Sequence, residues 1–539
     1  MKRGGFMFFK KKNNKKHSIK ITSKLFKKTY NIDEKKYKFF RLVKDIWPLS
    51  KTSGKIFLIY VAIILLGGLL LSIPNFSLTK TGSKYNWDFL TGIFIASSGF
   101  SDTGLTVLDV SHSYTFWGQL ILLLLIEFGG IGVLTFKIVL FLIINKKISI
   151  SDTIVAQSER GSSTTSLTID LIKDGFIWLT SVQVVSAFIL FFLFFFNQPS
   201  NNPSLEVVSP YHDFWKSLWF AIFHSTSAVN NAGFDIISPN SLQPYNVDNH
   251  RVYSIQVIFM LEWIIGGLGY PTFHDIKRKL KARKTKEKIS FSLFTKINFW
   301  VYLVLFIFGP LAVFATEYSN YSHSLIFHYF DDEFKIGASK SNTVVFMDIL
   351  FNTTASRNAG FSTIDISTFN SGSKAILSIL MFIGSAPSST AGGIRTTTFG
   401  VLILSTLTIV KNRKFTSAFR KTIPSETVNR SYAAFFISTF LIFISLFIIY
   451  VDSNNVFHTL KNYNSASINT ILLITSAFGT VGLSPLAHFQ MYQLGVVTKI
   501  SIILIMFIGQ LGVSNTLLIF LKPARDKAYK YLEEDITIG

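Results

Sequence analysis

Long runs of apolar residues alternate with shorter, more polar stretches along most of the chain. An α-helix needs roughly 20 residues to cross the hydrocarbon core of a membrane, and eight runs satisfy this requirement. The runs lie near residues 55–73, 117–143, 176–196, 252–270, 298–316, 374–384 with 399–410, 432–451 and 498–521. The pattern predicts an all-α polytopic membrane protein with eight transmembrane helices.

Four further apolar segments are too short and too polar to cross, and each lies between two predicted crossings. They occupy residues 87–99, 213–228, 344–355 and 466–477. Each precedes a glycine-bearing stretch that ends at Gly104, Gly233, Gly360 or Gly482, in steps of 129, 127 and 122 residues. Self-similarity at a nearly fixed period indicates an internal repeat. We therefore predict four units, each with a helix, a short re-entrant helix, a glycine loop and a second helix.

The second crossing of each unit carries a glycine mark of its own. The marks are Gly129-Gly130-Ile131-Gly132, Gly266-Gly267-Leu268-Gly269, Gly392-Gly393 and Gly509-Gln510-Leu511-Gly512. Only the sixth crossing also contains a proline, Pro387, within residues 384–393. A glycine inside a helix costs about 1 kcal/mol and a proline about 3 kcal/mol, so this crossing is predicted to be broken.

Composition agrees with a membrane protein. Of 539 residues, 49% are hydrophobic and 15% are charged, whereas soluble domains average about 25% charged residues. The absence of cysteine excludes disulfides, thiol catalysis and thiolate metal sites. The net charge of +23 is concentrated in residues 1–50, which hold sixteen Lys or Arg and three acids. We interpret that segment as a solvated basic tail and expect no nucleic-acid partner.

The distribution of Lys and Arg predicts the orientation, because short basic loops stay in the cytoplasm. Both termini and the links 144–175, 275–297 and 411–430 are assigned to the inside, in a multi-pass protein of the plasma membrane. The predicted organisation has six parts, of which the middle four are the repeats. They are a basic segment 1–50, units 51–150, 151–280, 281–425 and 426–522, and a cytoplasmic tail 523–539.

The glycine loops favour cation chemistry. Glycine permits positive φ, which turns successive carbonyl groups toward one axis, and rings of carbonyl oxygens replace the hydration shell of K⁺ in channels. Thr480-Val481-Gly482 is the segment most similar to the TVGYG run of such filters. The short helices point partly negative C-terminal ends at the same place. A single glycine of this kind is explained by close helix packing, but four in equivalent positions favour a filter.

The sequence resembles the Trk/Ktr/HKT superfamily of potassium transporters. The resemblance rests on Asn231-Ala232-Gly233-Phe234, Arg357-Asn358-Ala359-Gly360-Phe361-Ser362-Thr363, Gly266-Gly267-Leu268-Gly269-Tyr270-Pro271 and Ser388-Ser389-Thr390-Ala391-Gly392-Gly393-Ile394-Arg395. It is greatest for the shorter Ktr-type membrane subunit. It implies K⁺ uptake, a homodimer and a cytoplasmic nucleotide-binding regulatory ring, with K⁺ as substrate, Na⁺ coupling undecided and no covalently bound cofactor.

The resemblance also implies roles for individual residues. Four glycine segments form the selectivity filter, with K⁺ held by filter carbonyls only: Asp102, Thr103, Gly104; Asn231, Ala232, Gly233; Asn358, Ala359, Gly360; Thr480, Val481, Gly482. Glycine at position 104 favours K⁺, since relatives with Ser there tend toward Na⁺. Gln510 stands where relatives commonly have an Arg that projects toward the pore below the filter.

The interruption of the sixth crossing is expected to be a gating loop, mainly on the strength of the resemblance. Its residues are Gly384, Ser388, Ser389, Thr390, Gly392, Gly393 and Arg395. The alternative is a plain helix break packed against its neighbours. Arg395 either anchors the loop through carbonyl groups or extends to the inner interface.

The sequence allows alternative roles for several other charged residues. Asp102, Asp109, Asp235 and Asp365 either concentrate cations at the outer mouth or are solvated loop residues. Arg357 is expected to point away from the pathway and to pair with Asp348 or Asp365. Glu127 and Glu262 are functional intramembrane acids or structural partners at a contact between repeats.

The leading prediction is a non-enzymatic K⁺ uptake protein driven by the membrane potential. One charge moving through 100 mV is worth about 2.3 kcal/mol, and the chain has no P-loop motif. The alternatives are a lipid-modifying enzyme and a secondary transporter of another solute. The first would need an acid–base or metal constellation that the sequence does not offer, and the second usually shows two repeats.

Overall fold

The computed structural model describes residues 52–79, 88–144, 165–247, 250–330, 336–458 and 466–512. The predicted basic segment and C-terminal tail lie outside these ranges. Within them the chain is mostly helical. The helices are α1 Thr52–Leu71, α2 Phe89–Phe100, α3 Val110–Ser113, α4 Phe116–Ile131, α5 Val133–Ile143, α6 Thr165–Phe196, α7 Phe214–Val229, α8 Tyr253–Gly266, α9 Tyr270–Lys284, α10 Leu293–Tyr318, α11 Asn342–Ala355, α12 Ser371–Phe382, α13 Thr396–Val410, α14 Ser425–His458, α15 Ala466–Gly479, α16 His488–Tyr492 and α17 Val496–Leu511.

Two small antiparallel sheets correct the prediction of an all-α chain. Strand β1 (His328–Phe330) pairs with β2 (Ile336–Ser339), and β3 (Ser417–Ala418) pairs with β4 (Lys421–Thr422). Phe419 and Arg420, which join β3 to β4, have φ of 50° and 64°. Two left-handed residues in succession make the tight turn whose twist suits a β-hairpin. No hydrophobic periodicity signals strands this short.

Three helices among the described residues are long and apolar enough to cross a membrane by themselves, within α6, α10 and α14. The predicted crossing 117–143 is not one straight helix, since the axis turns by 90° between α4 and α5. The predicted crossing 252–270 ends where the axis turns by 92° between α8 and α9. Gly132 and Gly269 at these breaks have φ of 82° and 80°. Left-handed backbone interrupts the helical hydrogen bonds, so the glycine marks are bends.

Positive φ also occurs at the glycine marks of the other two units. Gly393, in the loop between α12 and α13, has a φ of 75°, and Gly512, which caps the end of α17, has a φ of 82°. The chain between α12 and α13 is not helical, in agreement with the predicted break in the sixth crossing. The predicted eighth crossing, 498–521, extends past the described residues.

Capping residues fix where the short helices begin. The Asp88 side chain accepts a hydrogen bond from the Leu90 amide at the start of α2. Asp213 does the same for Lys216 at the start of α7. Each cap satisfies a backbone N–H group that has no partner within the helix. These helices have 12 and 16 residues, too few to cross by themselves.

The helix contacts form a closed cycle of four. The helices α1, α6, α10 and α14 pack against the short helices α2, α7, α11 and α15, respectively. The short helices also contact a helix of another predicted unit, through the pairs α4–α7, α8–α11, α12–α15 and α17–α2. Aromatic side chains fill these junctions. Trp263 of α8 stands edge-on to Phe351 of α11, with ring centroids 5.0 Å apart.

Large apolar side chains cover the outer faces of the long helices. Phe188 of α6, Leu311 of α10 and Phe447 of α14 are 67%, 63% and 70% exposed. In water such extended apolar surface is rare outside interaction sites, whereas lipid tails accept it without cost. The surface is that of a membrane protein.

Candidate functional site

The short helices α2, α7, α11 and α15 all end at the predicted glycine segments. Each last glycine lies in the left-handed region, with φ of 83° at Gly104, 68° at Gly233, 75° at Gly360 and 96° at Gly482. A side chain is strongly disfavoured in this conformation, which explains why all four positions are glycine. The segments were predicted from the same four residues.

Two residues before the glycine, three of the four segments make a second left-handed turn. Asp102, Asn231 and Thr480 have φ of 50°, 59° and 50°. In the same segments the backbone amide of the next residue donates a hydrogen bond to a carbonyl of the short helix. The Thr103 amide, for example, donates to the Ser98 carbonyl at 2.9 Å. The third segment differs, since the Ala359 amide donates to the Ala355 carbonyl at 2.8 Å. Asn358 has no positive φ.

The four glycines approach one another in a closed ring. A Cβ added to Gly104 would strike the carbonyl oxygen of Ala232, and one added to Gly233 would lie 2.6 Å from that of Ala359. A Cβ on Gly360 would likewise strike the Val481 oxygen, and one on Gly482 the Thr103 oxygen. The carbonyl that precedes each glycine therefore lies against the glycine of the adjacent unit. All four segments meet at one place.

The 384–395 loop lies against the residues that precede these glycines. Its ends are held together, since the Ile394 amide donates to the Phe382 carbonyl at 3.1 Å and the Thr396 amide to the Ser385 carbonyl at 3.0 Å. Close backbone approach requires the small residues of the loop, because a Cβ on Gly384 would strike the Gly392 carbonyl. Thr390 is fully buried.

Side chains of the glycine segments contact the loop directly. The side-chain amide of Asn231 donates to Thr390 Oγ1 at 2.5 Å. The side-chain amide of Asn358 donates to Asn231 Oδ1 at 3.0 Å. Thr480 Oγ1 accepts a hydrogen bond from the Gly392 amide at 2.7 Å. The predicted filter and the predicted gating loop are thus in contact.

Gln510 lies between the loop and the first glycine segment. Its Nε2 donates to Asp102 Oδ2 at 3.0 Å and to the Thr390 carbonyl at 3.1 Å. The Arg395 guanidinium donates to the carbonyls of Gln510, at 2.8 Å, and Ala391. These contacts favour the anchoring alternative for Arg395 over extension to an interface.

Arg357 does not pair with an acid, so that expectation is wrong. Its guanidinium donates to the Gly384 carbonyl at 2.8 Å and lies over the Tyr302 ring, 4.7 Å from the centroid. Asp348 contacts Lys340 at 3.4 Å instead.

Tyr302 is a site residue that the sequence did not predict. Its hydroxyl contacts Ser385 Oγ, at the start of the 384–395 loop, at 2.8 Å. The one sequence feature that could have indicated this contact is a tyrosine hydroxyl within the apolar helix α10.

A cavity of about 590 Å³ is bordered by the four glycines and by the segments that follow them. Asp109, Asp235 and Asp365 all line it, whereas Asp102 does not. Asp109 and Asp365 also cap short helical turns. Asp235 lies 3.4 Å from the buried His224 ring. Asp102 is fully buried and bonded to Gln510, so both alternatives proposed for it are wrong. The Asp235 side chain is only 7% exposed, so Asp235 is not a solvated loop residue.

Asp109 and His112 form a hydrogen-bonded pair at the cavity, 2.8 Å apart. The hydrogen bond that His112 donates to the Asp109 carboxylate raises the pKa of His112 despite partial burial. Burial opposes ionisation of Asp109, but hydrogen bonds from His112 and Ser111 outweigh it and lower the pKa of Asp109. Asp109 is therefore ionised throughout the physiological range, while His112 titrates above its ordinary value.

Of the two acids of the apolar helices, Glu127 lies at a contact between predicted units, whereas the neighbours of Glu262 belong to its own unit, 151–280. Glu127 accepts hydrogen bonds from Asn230 at 2.8 Å and from Gln183 at 3.1 Å. Glu262 is fully buried beside Ser186 and Ser225. For Glu127 this geometry favours the structural alternative. Within the described ranges, no three His, Asp or Glu side chains form a group that could hold a metal ion.

Comparison with known proteins identifies the family. The chain matches the TrkH cation transport protein family over residues 42–531, and it belongs to that family. It is 31% identical to the Ktr system potassium uptake protein B of Bacillus subtilis, over 88% of this chain and 94% of the relative. It is 30% identical to the potassium/sodium uptake protein NtpJ of Enterococcus hirae, over 93% of this chain and 99% of the relative.

The fold has a counterpart of known structure. The potassium transporter TrkH from Vibrio parahaemolyticus superposes with a TM-score of 0.58 at 16% identity, covering 86% of this chain and 83% of that one. The resemblance inferred from sequence motifs is therefore confirmed at the level of family and fold. The protein is a membrane transporter of the cation transport class.

Proposed function

We propose that this protein takes up K⁺ across the plasma membrane through a filter of backbone carbonyls. The observation that carries the proposal is the closed ring, in which the oxygens of Thr103, Ala232, Ala359 and Val481 lie against the glycines of adjacent units. Carbonyl oxygens at such a constriction replace the water that a cation sheds. The names of the Ktr and NtpJ relatives support K⁺ as the substrate.

The proposed architecture has eight crossings and four re-entrant helices in four repeats around the ring. The cyclic contacts between helices of adjacent units support it. Both termini are proposed to be cytoplasmic, so that the 590 Å³ cavity forms the outer mouth and the 384–395 loop lies on the inner side. The membrane potential then supplies about 2.3 kcal/mol per charge and 100 mV for inward movement. Na⁺ coupling stays open, as the name of NtpJ mentions both ions.

The 384–395 loop is proposed to be the gate. Its location against the residues that precede the filter glycines supports this role, as do its small residues, since backbone without large side chains moves at little cost in packing. Deletion of residues 385–392 should raise ion flux. Unchanged flux at normal surface expression would contradict the assignment.

We also propose a homodimer and a cytoplasmic nucleotide-binding ring as the regulatory partner. Support comes from the similarity to a Ktr system protein and from the basic last turn of α9, which includes Lys281, Arg283 and Lys284. Co-purification with a soluble nucleotide-binding subunit, followed by mass measurement of the complex, tests both assignments.

The transport proposal is tested in cells that lack their own K⁺ uptake systems. Expression of the wild-type chain should restore growth at low K⁺ and support Rb⁺ uptake. The Gly482→Ser variant should abolish both, because its side chain would meet the Thr103 carbonyl from a left-handed backbone. Failure of the wild-type protein to restore growth, despite normal surface expression, would overturn the proposal.

A further inference from the structure

One position recurs in all four glycine segments and is not explained by coordination through backbone carbonyls. It is the residue two before the glycine: Asp102, Asn231, Asn358 and Thr480. All four side chains are at most 1% exposed. Polar groups buried this deeply require hydrogen-bond partners.

Two of these four side chains contact the loop directly, at Thr390 and Gly392, and the other two connect to it through one further residue. Asn231 bonds to the Thr390 hydroxyl, and Asn358 supports Asn231. Thr480 accepts from the Gly392 amide. Asp102 acts through Gln510, whose single nitrogen reaches both the Asp102 carboxylate and the Thr390 carbonyl. Every unit therefore contributes one side chain that contacts the loop directly or through one intermediate residue.

The same residues also set the backbone of the filter. Asp102, Asn231 and Thr480 are left-handed, which is uncommon for any residue with a side chain and a marked outlier for a β-branched threonine. Such strain persists only where surrounding contacts impose it. For Asn231 and Thr480 the loop supplies one of these contacts. Displacement of the loop removes that contact from the backbone that carries the filter carbonyls.

We propose that these four side chains and Gln510 form a latch that closes the loop through Thr390 and Gly392, and that couples ion selectivity to loop position. The latch makes Gln510 and the residues two before each glycine positioning residues, which act on the ion through the loop and the filter backbone. This inference rests on the proposed K⁺ pathway and deepens it. Release of the loop should open the pore and loosen the filter together.

The test compares two substitutions at the centre of the latch. Thr390→Val keeps the shape of the side chain but removes the hydroxyl, and Thr390→Ser keeps the hydroxyl. Thr439→Val, in α14, is the matched control, because its hydroxyl bonds only within its own helix, to the Phe435 carbonyl. Rb⁺ uptake per surface-expressed molecule and its inhibition by Na⁺ are measured for each variant.

Thr390→Val should raise Rb⁺ uptake and weaken the preference for Rb⁺ over Na⁺, each by roughly two- to tenfold for the loss of a buried hydrogen bond. Thr390→Ser and the control should match the wild type. Higher uptake with unchanged ion preference would overturn the coupling. If neither quantity changes, the latch itself is wrong. A wild-type protein that transports no K⁺ would instead refute the proposed function.

A second variant covers the case in which Thr390→Val is not expressed. Gln510→Met removes the amide that joins Asp102 to the Thr390 carbonyl and keeps a similar volume. It should shift uptake and ion preference in the same directions. In a chain that lacks residues 385–392, Gln510→Met should add no further change in flux. An undiminished additional effect would contradict action through the loop.

Discussion

Substitution of Gly233 by alanine perturbs the glycine ring at a position where atoms of two other segments lie close. A Cβ at this position would lie 2.6 Å from the Ala359 oxygen, 3.1 Å from Gly360 Cα and 3.3 Å from the Val481 oxygen. It would therefore strike the third segment and crowd the fourth. The left-handed backbone, with a φ of 68°, adds about 1–2 kcal/mol of strain for any residue with a Cβ.

A glycine outside the ring provides the control. Gly372 lies in the first turn of α12, and the three atoms nearest to a Cβ there would be side-chain atoms of Thr316 and Asn370, at 3.2 Å or more. Gly372→Ala thus adds a methyl group without striking a backbone carbonyl. Only Gly233→Ala should move the Ala359 and Val481 oxygens away from the positions in which they face an ion.

The assay is initial Rb⁺ uptake per surface-expressed molecule, with Na⁺ as competitor. Displacement that costs about 1.4 kcal/mol of ion stabilisation corresponds to a tenfold loss, and the loss of two ligands should reach at least this value. Uptake by Gly233→Ala should fall at least about tenfold and lose its preference for Rb⁺ over Na⁺, whereas uptake by Gly372→Ala should stay within about threefold of the wild type. Equal uptake and ion preference in the two variants would refute the role of the ring.

Three further predictions concern charges near the ring. Gln510→Arg should lower flux roughly five- to tenfold, because a charged donor to Asp102 and the loop roughly doubles the strength of the hydrogen bonds that hold the loop closed; faster Rb⁺ uptake would contradict this. Protonated His112 offsets the charge of Asp109; this effect is complete below about pH 6.5 and is lost as the pH rises through the raised pKa of His112. The external Rb⁺ concentration for half-maximal uptake should therefore fall over this pH range in the wild type. In His112→Gln it should not change with pH. Arg357→Met removes a charged hydrogen bond and a cation–π contact, each worth about 1–3 kcal/mol, so thermal unfolding of the purified protein should shift to lower temperature; an unchanged Tm would show that neither contact stabilises the fold.

Much of the fold could be predicted from short sequence patterns. The short helices are marked by their length and by acidic caps such as Asp88 and Asp213, and the glycines that follow them are forced by left-handed backbone. These features depend on residues close together in the chain. The break at Pro387 was predicted for the same reason.

Other features depend on residues far apart in the chain, which no local pattern reveals. The bends at Gly132 and Gly269 resemble ordinary packing glycines until the backbone shows their positive φ. Arg357 was expected to pair with an acid on grounds of charge, yet the Gly384 carbonyl and the Tyr302 ring surround it. A buried guanidinium is satisfied by carbonyls and aromatic faces as well as by carboxylates.

In the site, too, local features could be predicted from the sequence and long-range contacts could not. The glycine segments and the loop were predicted individually, from residue types and from the family resemblance. The contacts between them were not, because Gln510 and Asp102 are 408 positions apart. Replacement of a common arginine by Gln510 signalled a local difference, and the fold reveals that its partners are the loop and the first filter segment.

The most direct measurement is an electron-density map of the protein prepared in Rb⁺ or Tl⁺ in place of K⁺. These ions scatter strongly enough to be located individually. The account predicts ion density on the axis enclosed by the carbonyl oxygens of Thr103, Ala232, Ala359 and Val481. Density confined to other positions, with the ring well ordered and empty, would contradict it.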